Sequence, residues 1–387
     1  MNKKEVNEIK KLFTPQKCAI TRICGCYVDG EKNKKTEIKE SFLSLPEEEE
    51  FKYFSIFKST LSGTLGKNLI NMEFPHEQEN SVDGTQSFLL KLRDSELKDD
   101  SLISEFYDKV IASYGSLENY YIILIHGAYD IPCQTTDGET LEDASDYVYN
   151  FIMCSLCPVK RSKAVLCYNE NTNAIENRLQ DWIVDNPNHG FLFPAFNERN
   201  TDIHSLLYYT KNSETMMIDF IDALLGCYIP MTYKSQQETF KTVVEETLGN
   251  ECDFNSVMSI HEELRDIVEE AKEKEVEEPV TIDKPIMKKI LEHSGVSNEK
   301  IKALDATFED NAPKDTPILA TNVATTRAVN IETPDVSIRV KPDKTHLVEN
   351  RVIDGIPYIL IQATDDVTLN GIKVRTLLPD SEERTED

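Results

Sequence analysis

Two apolar runs joined by a short polar connector constrain this chain more than any other feature. Tyr120 to Pro132 reads Y-Y-I-I-L-I-H-G-A-Y-D-I-P, and Tyr147 to Val159 reads Y-V-Y-N-F-I-M-C-S-L-C-P-V. Neither has the roughly 20 consecutive apolar residues that a membrane helix needs. Their length and their β-branched and aromatic content are those of buried strands. The connector, Cys133 to Asp146, contains the turn dipeptide Asp137-Gly138. The two runs are therefore expected to pair in the central sheet of a main domain.

The flanking sequence alternates between helical and strand periods. Val6, Ile9 and Phe13 have helical spacing over residues 2–13. Cys18 to Val28 reads as a strand ending in Asp29-Gly30, with Ile38 to Leu45 as its return. After Pro46, four glutamates open a helix at the end where acids favour the helix dipole. Phe51, Phe54, Phe57 and Leu61 form its apolar stripe. Ser101 to Ser113 is an amphipathic helix. Ser213 to Gly226, Gln236 to Leu248 and Phe254 to Glu270 read as helices placed on one face of the sheet. A hairpin of two helices, Ile286 to His293 and Asn298 to Phe308, turns at Ser294-Gly295-Val296-Ser297. Asp354-Gly355 and Asn370-Gly371 lie between apolar runs and signal β-hairpins.

The fold class is thus read as α+β, a mixed or antiparallel sheet with packed helices. The main domain spans 1–272, a linker and helical hairpin 273–312, a small antiparallel β module 328–375, and a disordered acidic tail 376–387. Asn311 to Thr316 reads as a second linker.

Charge limits the function classes. The 387 residues carry a formal net charge of -27. That disfavours a broad phosphate-binding surface, which draws on clustered Lys and Arg. Residues 1–40 run the other way, with nine Lys, one Arg and six acids. Lys3, Lys4, Lys10, Lys11 and Arg22 are accordingly the candidate nucleic-acid contacts. The N-terminal stretch has no apolar targeting segment. Nine cysteines, scattered and odd in number, fit a reduced, cytoplasmic setting.

Two constellations carry candidate chemistry. Cys24 and Cys26 with Cys154 and Cys157 would supply the four ligands of a tetrahedral zinc site. Their apolar surroundings suit buried thiols equally, so no cofactor is expected and zinc is the alternative. Pro158 argues against a redox helix starting at Cys154. His126 with Asp130, and His204 with Asp202, would form an acid–base cluster if two strand ends meet. A structural histidine bonded to a carbonyl is the competing reading. Neither G-x-S-x-G nor H-E-x-x-H occurs. The L-S-G-T-L-G-K stretch, Leu61 to Lys67, has the wrong spacing for a phosphate loop.

Several stretches are specific enough to carry a resemblance: T-R-I-C-G-C-Y-V at 21–28, L-S-G-T-L-G-K-N-L at 61–69, A-Y-D-I-P at 128–132, G-F-L-F-P-A-F-N-E-R-N-T-D-I-H at 190–204 and V-E-E-T-L-G at 244–249. Together they resemble a bacterial domain-of-unknown-function family, numbered 4317, over nearly the whole chain. That resemblance implies a cytoplasmic bacterial protein and assigns no catalytic role. The order of elements also resembles the bacterial nucleoid-associated protein family of about 37 kDa. There a strand like Ile122 to His126, a helix like Asp219 to Gly226, a Ser-Gly-Val-Ser turn and a terminal β segment follow in turn.

The resulting expectation is a cytoplasmic, non-enzymatic binding or structural protein, nucleoid association included. DNA or another protein is its partner, a homo-oligomer is left open, and no membrane is involved. The alternative is a hydrolase-like or metal-dependent enzyme using the His/Asp cluster or the Cys pairs.

Overall fold

The computed structural model describes all residues except 79–80, 82, 135–139, 178–179, 215, 275, 277, 312–316, 325–327, 364–366 and 375–387. The Asp137-Gly138 turn, most of the second linker and the acidic tail lie outside the described residues. The chain forms two compact units. One comprises Met1–Lys241, Lys274–Thr281 and Ala312–Asn322, the other Thr242–Glu273, Ile282–Asn311 and Val323–Asp387.

The first unit is built on an eight-stranded sheet. Its strands are β1 (Ile20–Val28), β2 (Lys34–Ser41), β3 (Leu69–Glu73), β4 (Tyr120–Gln134), β5 (Thr140–Arg161), β6 (Trp182–Val184), β7 (His189–Phe193) and β8 (Ser205–Thr210). The spatial order is β2-β1-β4-β5-β7-β8-β3, with β6 paired to β5 near its end. Every neighbouring pair is antiparallel. The two apolar runs pair as expected, with Tyr120 opposite Pro158 and His126 opposite Ile152.

Helices cover both faces, where one covered face was expected. On one face Cys24, Ile122, Leu124, Ile152 and Phe191 meet α3 (Thr85–Asp94), α4 (Asp100–Ser113) and Phe220, Ile221 and Leu224. On the other, Ile23, Ile123, Ile125, Met153 and Leu192 meet α1 (Lys3–Lys11) and α2 (Glu47–Thr60). The physical reason was present in the run itself. A one-sided antiparallel sheet alternates apolar with polar residues, whereas Ile122-Ile123-Leu124-Ile125 is apolar at every position and must be buried on both sides.

The long helix expected over 213–226 is shorter. It spans Ile218–Phe220 and a wide turn, Ile221–Leu225, that closes with Gly226 N–H donating to Ile221 C=O at 2.7 Å. Gly226 then stops it in the left-handed region (φ 64°).

In the second unit the helix Phe254–Glu273 buries Ile260, Leu264 and Val268. The helical hairpin is Lys284–His293 and Asn298–Asn311, with Asp283 capping the first helix through Ile286 N–H at 2.9 Å. The C-terminal β segments are three two-stranded hairpins: Val329–Glu332 with Ser337–Val340, Val348–Ile353 with Ile356–Ile361, and Val367–Leu369 with Ile372–Val374. Asp354-Gly355 and Asn370-Gly371 are both left-handed at both positions, which is the geometry that matches hairpin twist.

Candidate functional site

The structure separates most of the side chains that the sequence grouped. Cys154 and Cys157 are three apart on β5, so they point to opposite faces: Cys154 lies in one core layer and Cys157 in the other. Two ligands on opposite sides of a sheet cannot grip one ion. Cys24 and Cys26 share the face of Cys154, with Leu124 between Cys24 and Cys154 in register. Among the described residues, no cluster of three or more His, Cys, Asp or Glu has metal-binding geometry. Burial pushes the Cys154 thiol well above its ordinary pKa, and pushes Cys26 up to about 11. Both are therefore protonated, inert thiols at neutral pH.

The candidate cation patch also divides. Lys3, Lys4 and Lys11 are exposed on α1 and Lys10 is half-buried, while Val6 and Ile9 anchor that helix to the second face. Arg22 alternates with Ile23 and so points to the first face with Cys24. The five do not form one surface, because a strand residue's face is set by parity.

His126 and Asp130 point the same way but stand four residues apart on an extended strand, about 13 Å. Asp202 instead accepts from Asn197 Nδ2 at 2.6 Å and from the His204 backbone N–H at 2.9 Å. Its neighbour Thr201 points the other way and lines a cleft of about 300 Å³ with His126, Arg93, Asp94 and Glu96. Within that cleft His126 Nδ1 is 2.7 Å from Thr21 Oγ1, which also donates to the His126 carbonyl at 3.2 Å. Burial lowers the His126 pKa, with Glu96 opposing, so the ring is neutral at pH 7. Arg93 is held by Asp94 at 2.7 Å. His126 is thus a buried histidine beside a small polar cleft, its Nδ1 paired with the Thr21 hydroxyl rather than with a backbone carbonyl.

A larger site lies at the sheet's far edge, within the first unit. Phe74 N–H donates to His204 C=O and Thr210 N–H to Asn68 C=O, both at 2.9 Å. The even-numbered residues of β3 thus commit their main-chain groups to β8, and Leu69, Asn71 and Glu73 turn theirs outward. Gly66 N–H takes the Leu69 carbonyl at 2.7 Å and Tyr228 N–H takes that of Glu73 at 3.0 Å. Asn71 lies between them, its N–H and C=O directed into a groove of about 670 Å³. Ile229, Pro230, Met231, Pro279, Pro317 and Leu319 wall the groove.

The wall is held by one buried amide. Gln236 Oε1 accepts from Leu319 N–H at 2.9 Å and from Asn322 Nδ2 at 3.0 Å, while its Nε2 donates to Met231 C=O at 3.1 Å. Asn322 also donates to Gly66 C=O at 3.1 Å. Gly66 needs its missing side chain: φ is 76°, and a Cβ would sit 1.9 Å from Leu319 Cδ1. At the rim, Lys67 Nζ lies 3.9 Å from the centre of the Tyr233 ring.

The family model described as a domain of unknown function (DUF4317) matches residues 1–372. The chain belongs to the DUF4317 family. No curated protein and no solved structure matches it. The DUF4317 description assigns no function, and no helix among the described residues of this DUF4317 chain is long and apolar enough to cross a membrane. In DUF4317 terms the groove gives the L-S-G-T-L-G-K stretch a structural role. Its Gly66 lets the Leu319 wall approach β3, where the sequence had offered only a failed phosphate loop. The available signals were the Pro-bearing apolar stretch Tyr228 to Met231 and the isolated Pro279 and Pro317. None points to a groove until β3 is known to be an edge.

Proposed function

We propose that this chain is a non-enzymatic binding protein that takes an extended apolar peptide along the outer edge of β3. The carrying observation is the Asn71 main-chain N–H and C=O turned into an apolar-walled groove. A sheet edge binds an added strand through its main chain, and pockets select alternate side chains. The groove volume lies in the range of ordinary ligand sites, with few polar groups among apolar ones. The eight described cysteines are all free thiols, which supports a reduced, cytoplasmic setting.

The test is selection of peptides from a random display library on the full chain, followed by anisotropy with the labelled winners. Alternating apolar sequences with micromolar affinity are expected. Ile229→Lys should weaken them at least tenfold. Glu73→Pro removes an outward N–H that β8 does not use, and should do the same without unfolding the sheet. Failure to select any peptide, or equal binding by both variants, refutes the reading.

A further inference from the structure

The chain closes half of the β3 edge against itself. Leu69, Asn71 and Glu73 turn six main-chain groups outward, and three of these are already paired. Leu69 N–H donates to Thr64 C=O at 3.2 Å, Leu69 C=O accepts from Gly66 N–H at 2.7 Å, and Glu73 C=O accepts from Tyr228 N–H at 3.0 Å. Among the described residues, Asn71 N–H, Asn71 C=O and Glu73 N–H have no such partner. The open edge is therefore two donors and one acceptor.

An added strand has to answer that set with two carbonyls and one N–H. In the antiparallel direction, the peptide residue opposite Asn71 exchanges both bonds with it, and the residue two positions earlier accepts from Glu73 N–H. The N–H of that earlier residue points at the Glu73 carbonyl, which Tyr228 already holds. In the parallel direction the demand on the peptide is the same. One residue uses both its groups, and the residue two before it accepts from Asn71 N–H while its own N–H meets the closed Leu69 carbonyl. Either way one peptide N–H faces apolar walls without an acceptor. Proline alone lacks that N–H and keeps its carbonyl, and an edge strand tolerates it where no ladder bond is made.

The two directions differ in the room they leave. A parallel peptide puts its proline beside Leu69, where Leu319 Cδ1 lies 1.9 Å from the place a Gly66 Cβ would take. An antiparallel peptide puts it opposite Glu73, beside Tyr228, which lines the groove and is 63% exposed. Aromatic-lined grooves are a recurring surface for proline in peptides. We infer that the groove selects peptides with a proline two residues before the residue that pairs with Asn71, bound antiparallel to β3 with the proline against Tyr228. This inference rests on the peptide reading of the groove and supplies its specificity.

The test is anisotropy on the full chain with fluorescein-labelled Ser-Ser-Val-Pro-Val-Val-Val-Ser-Ser. Replacing its proline with alanine should raise the dissociation constant about tenfold, because the restored N–H has no acceptor. N-methylation of the valine two after the proline removes the N–H that Asn71 accepts, and should raise it by about tenfold or more. Tyr228→Ala keeps the main-chain bond to Glu73; it should weaken the proline peptide and leave the alanine peptide within about twofold. Ile229→Lys should weaken every peptide. If none of these peptides binds, and display selects no other, the peptide reading and this inference fall together. If the peptides bind and Ile229→Lys weakens them, yet alanine serves as well as proline, the groove keeps its reading and the proline inference is overturned. Equal loss of the proline and alanine peptides in Tyr228→Ala overturns the placement of the proline.

Discussion

Truncating Gln236 to Ala tests the wall of the groove. The side chain is 4% exposed and its Oε1 holds two donors, Leu319 N–H and Asn322 Nδ2. Asn322 is itself buried and keeps its bond to the Gly66 carbonyl. The Met231 carbonyl is half-exposed and finds water once Nε2 is gone. The half-buried Leu319 N–H loses its acceptor and the buried Asn322 Nδ2 loses one of its two, so the local cost is about 2 kcal/mol. With 1.4 kcal/mol per factor of ten, opening at the Leu319 amide should become roughly 30-fold more frequent. Hydrogen exchange read by mass spectrometry on peptides covering 317–322 measures this directly. It also avoids a global melt, which two units would not report as one transition. Gln236→Glu keeps an acceptor for both donors and should exchange about tenfold slower than Gln236→Ala. Exchange in the Ala variant within about twofold of wild type would show that Gln236 does not hold the wall.

Three other outcomes are expected. Gly190→Ala places a Cβ 2.4 Å from the Cys154 carbonyl oxygen and 2.6 Å from Thr60 Cγ2, in the middle of the β5–β7 pair; overpacking backbone there should cost about 3 kcal/mol, read as faster hydrogen exchange in peptides covering β5 and β7. His189 is lowered by burial to about 4, with Nδ1 3.0 Å from the Tyr208 hydroxyl. The unfolded chain binds that proton first, so His189 contributes stability that is fully present above about pH 6.5 and is lost as pH falls towards 4, to about 3 kcal/mol; in His189→Gln the stability–pH curve between those values should flatten, and an unchanged slope would count against it. Thiol labelling of the folded protein should modify exposed Cys252 first and half-buried Cys18 and Cys167 more slowly; Cys24, Cys26, Cys154, Cys157 and Cys227 should react only in denaturant, and fast labelling of Cys154 would contradict its burial.

Period, caps and turns are local properties, and the sequence by itself determined them. Tyr120 to Pro132 and Tyr147 to Val159 read as paired strands because their residue types fit a buried pleat and little else. Asp354-Gly355 and Asn370-Gly371 read as hairpin turns because they tolerate left-handed backbone at both positions. Gly226 marked the end of its helix for a related reason, although the helix before it proved shorter.

Side-chain company was a different matter. Cys154 and Cys157 look like neighbours in sequence, but an odd offset on a strand sends them into separate cores. Lys3 and Arg22 look like one basic segment, yet parity turns Arg22 to the face opposite α1. Asp202 was aligned with His126 by residue type, and its bonds run instead to Asn197 and the His204 backbone. The groove depended on the longest separations of all: Gly66 meets Asn322, 256 residues later. Which strand becomes an edge, and which distant segment walls it, is set by how the whole chain packs. No window of sequence contains that energy, so only the tertiary structure decided it.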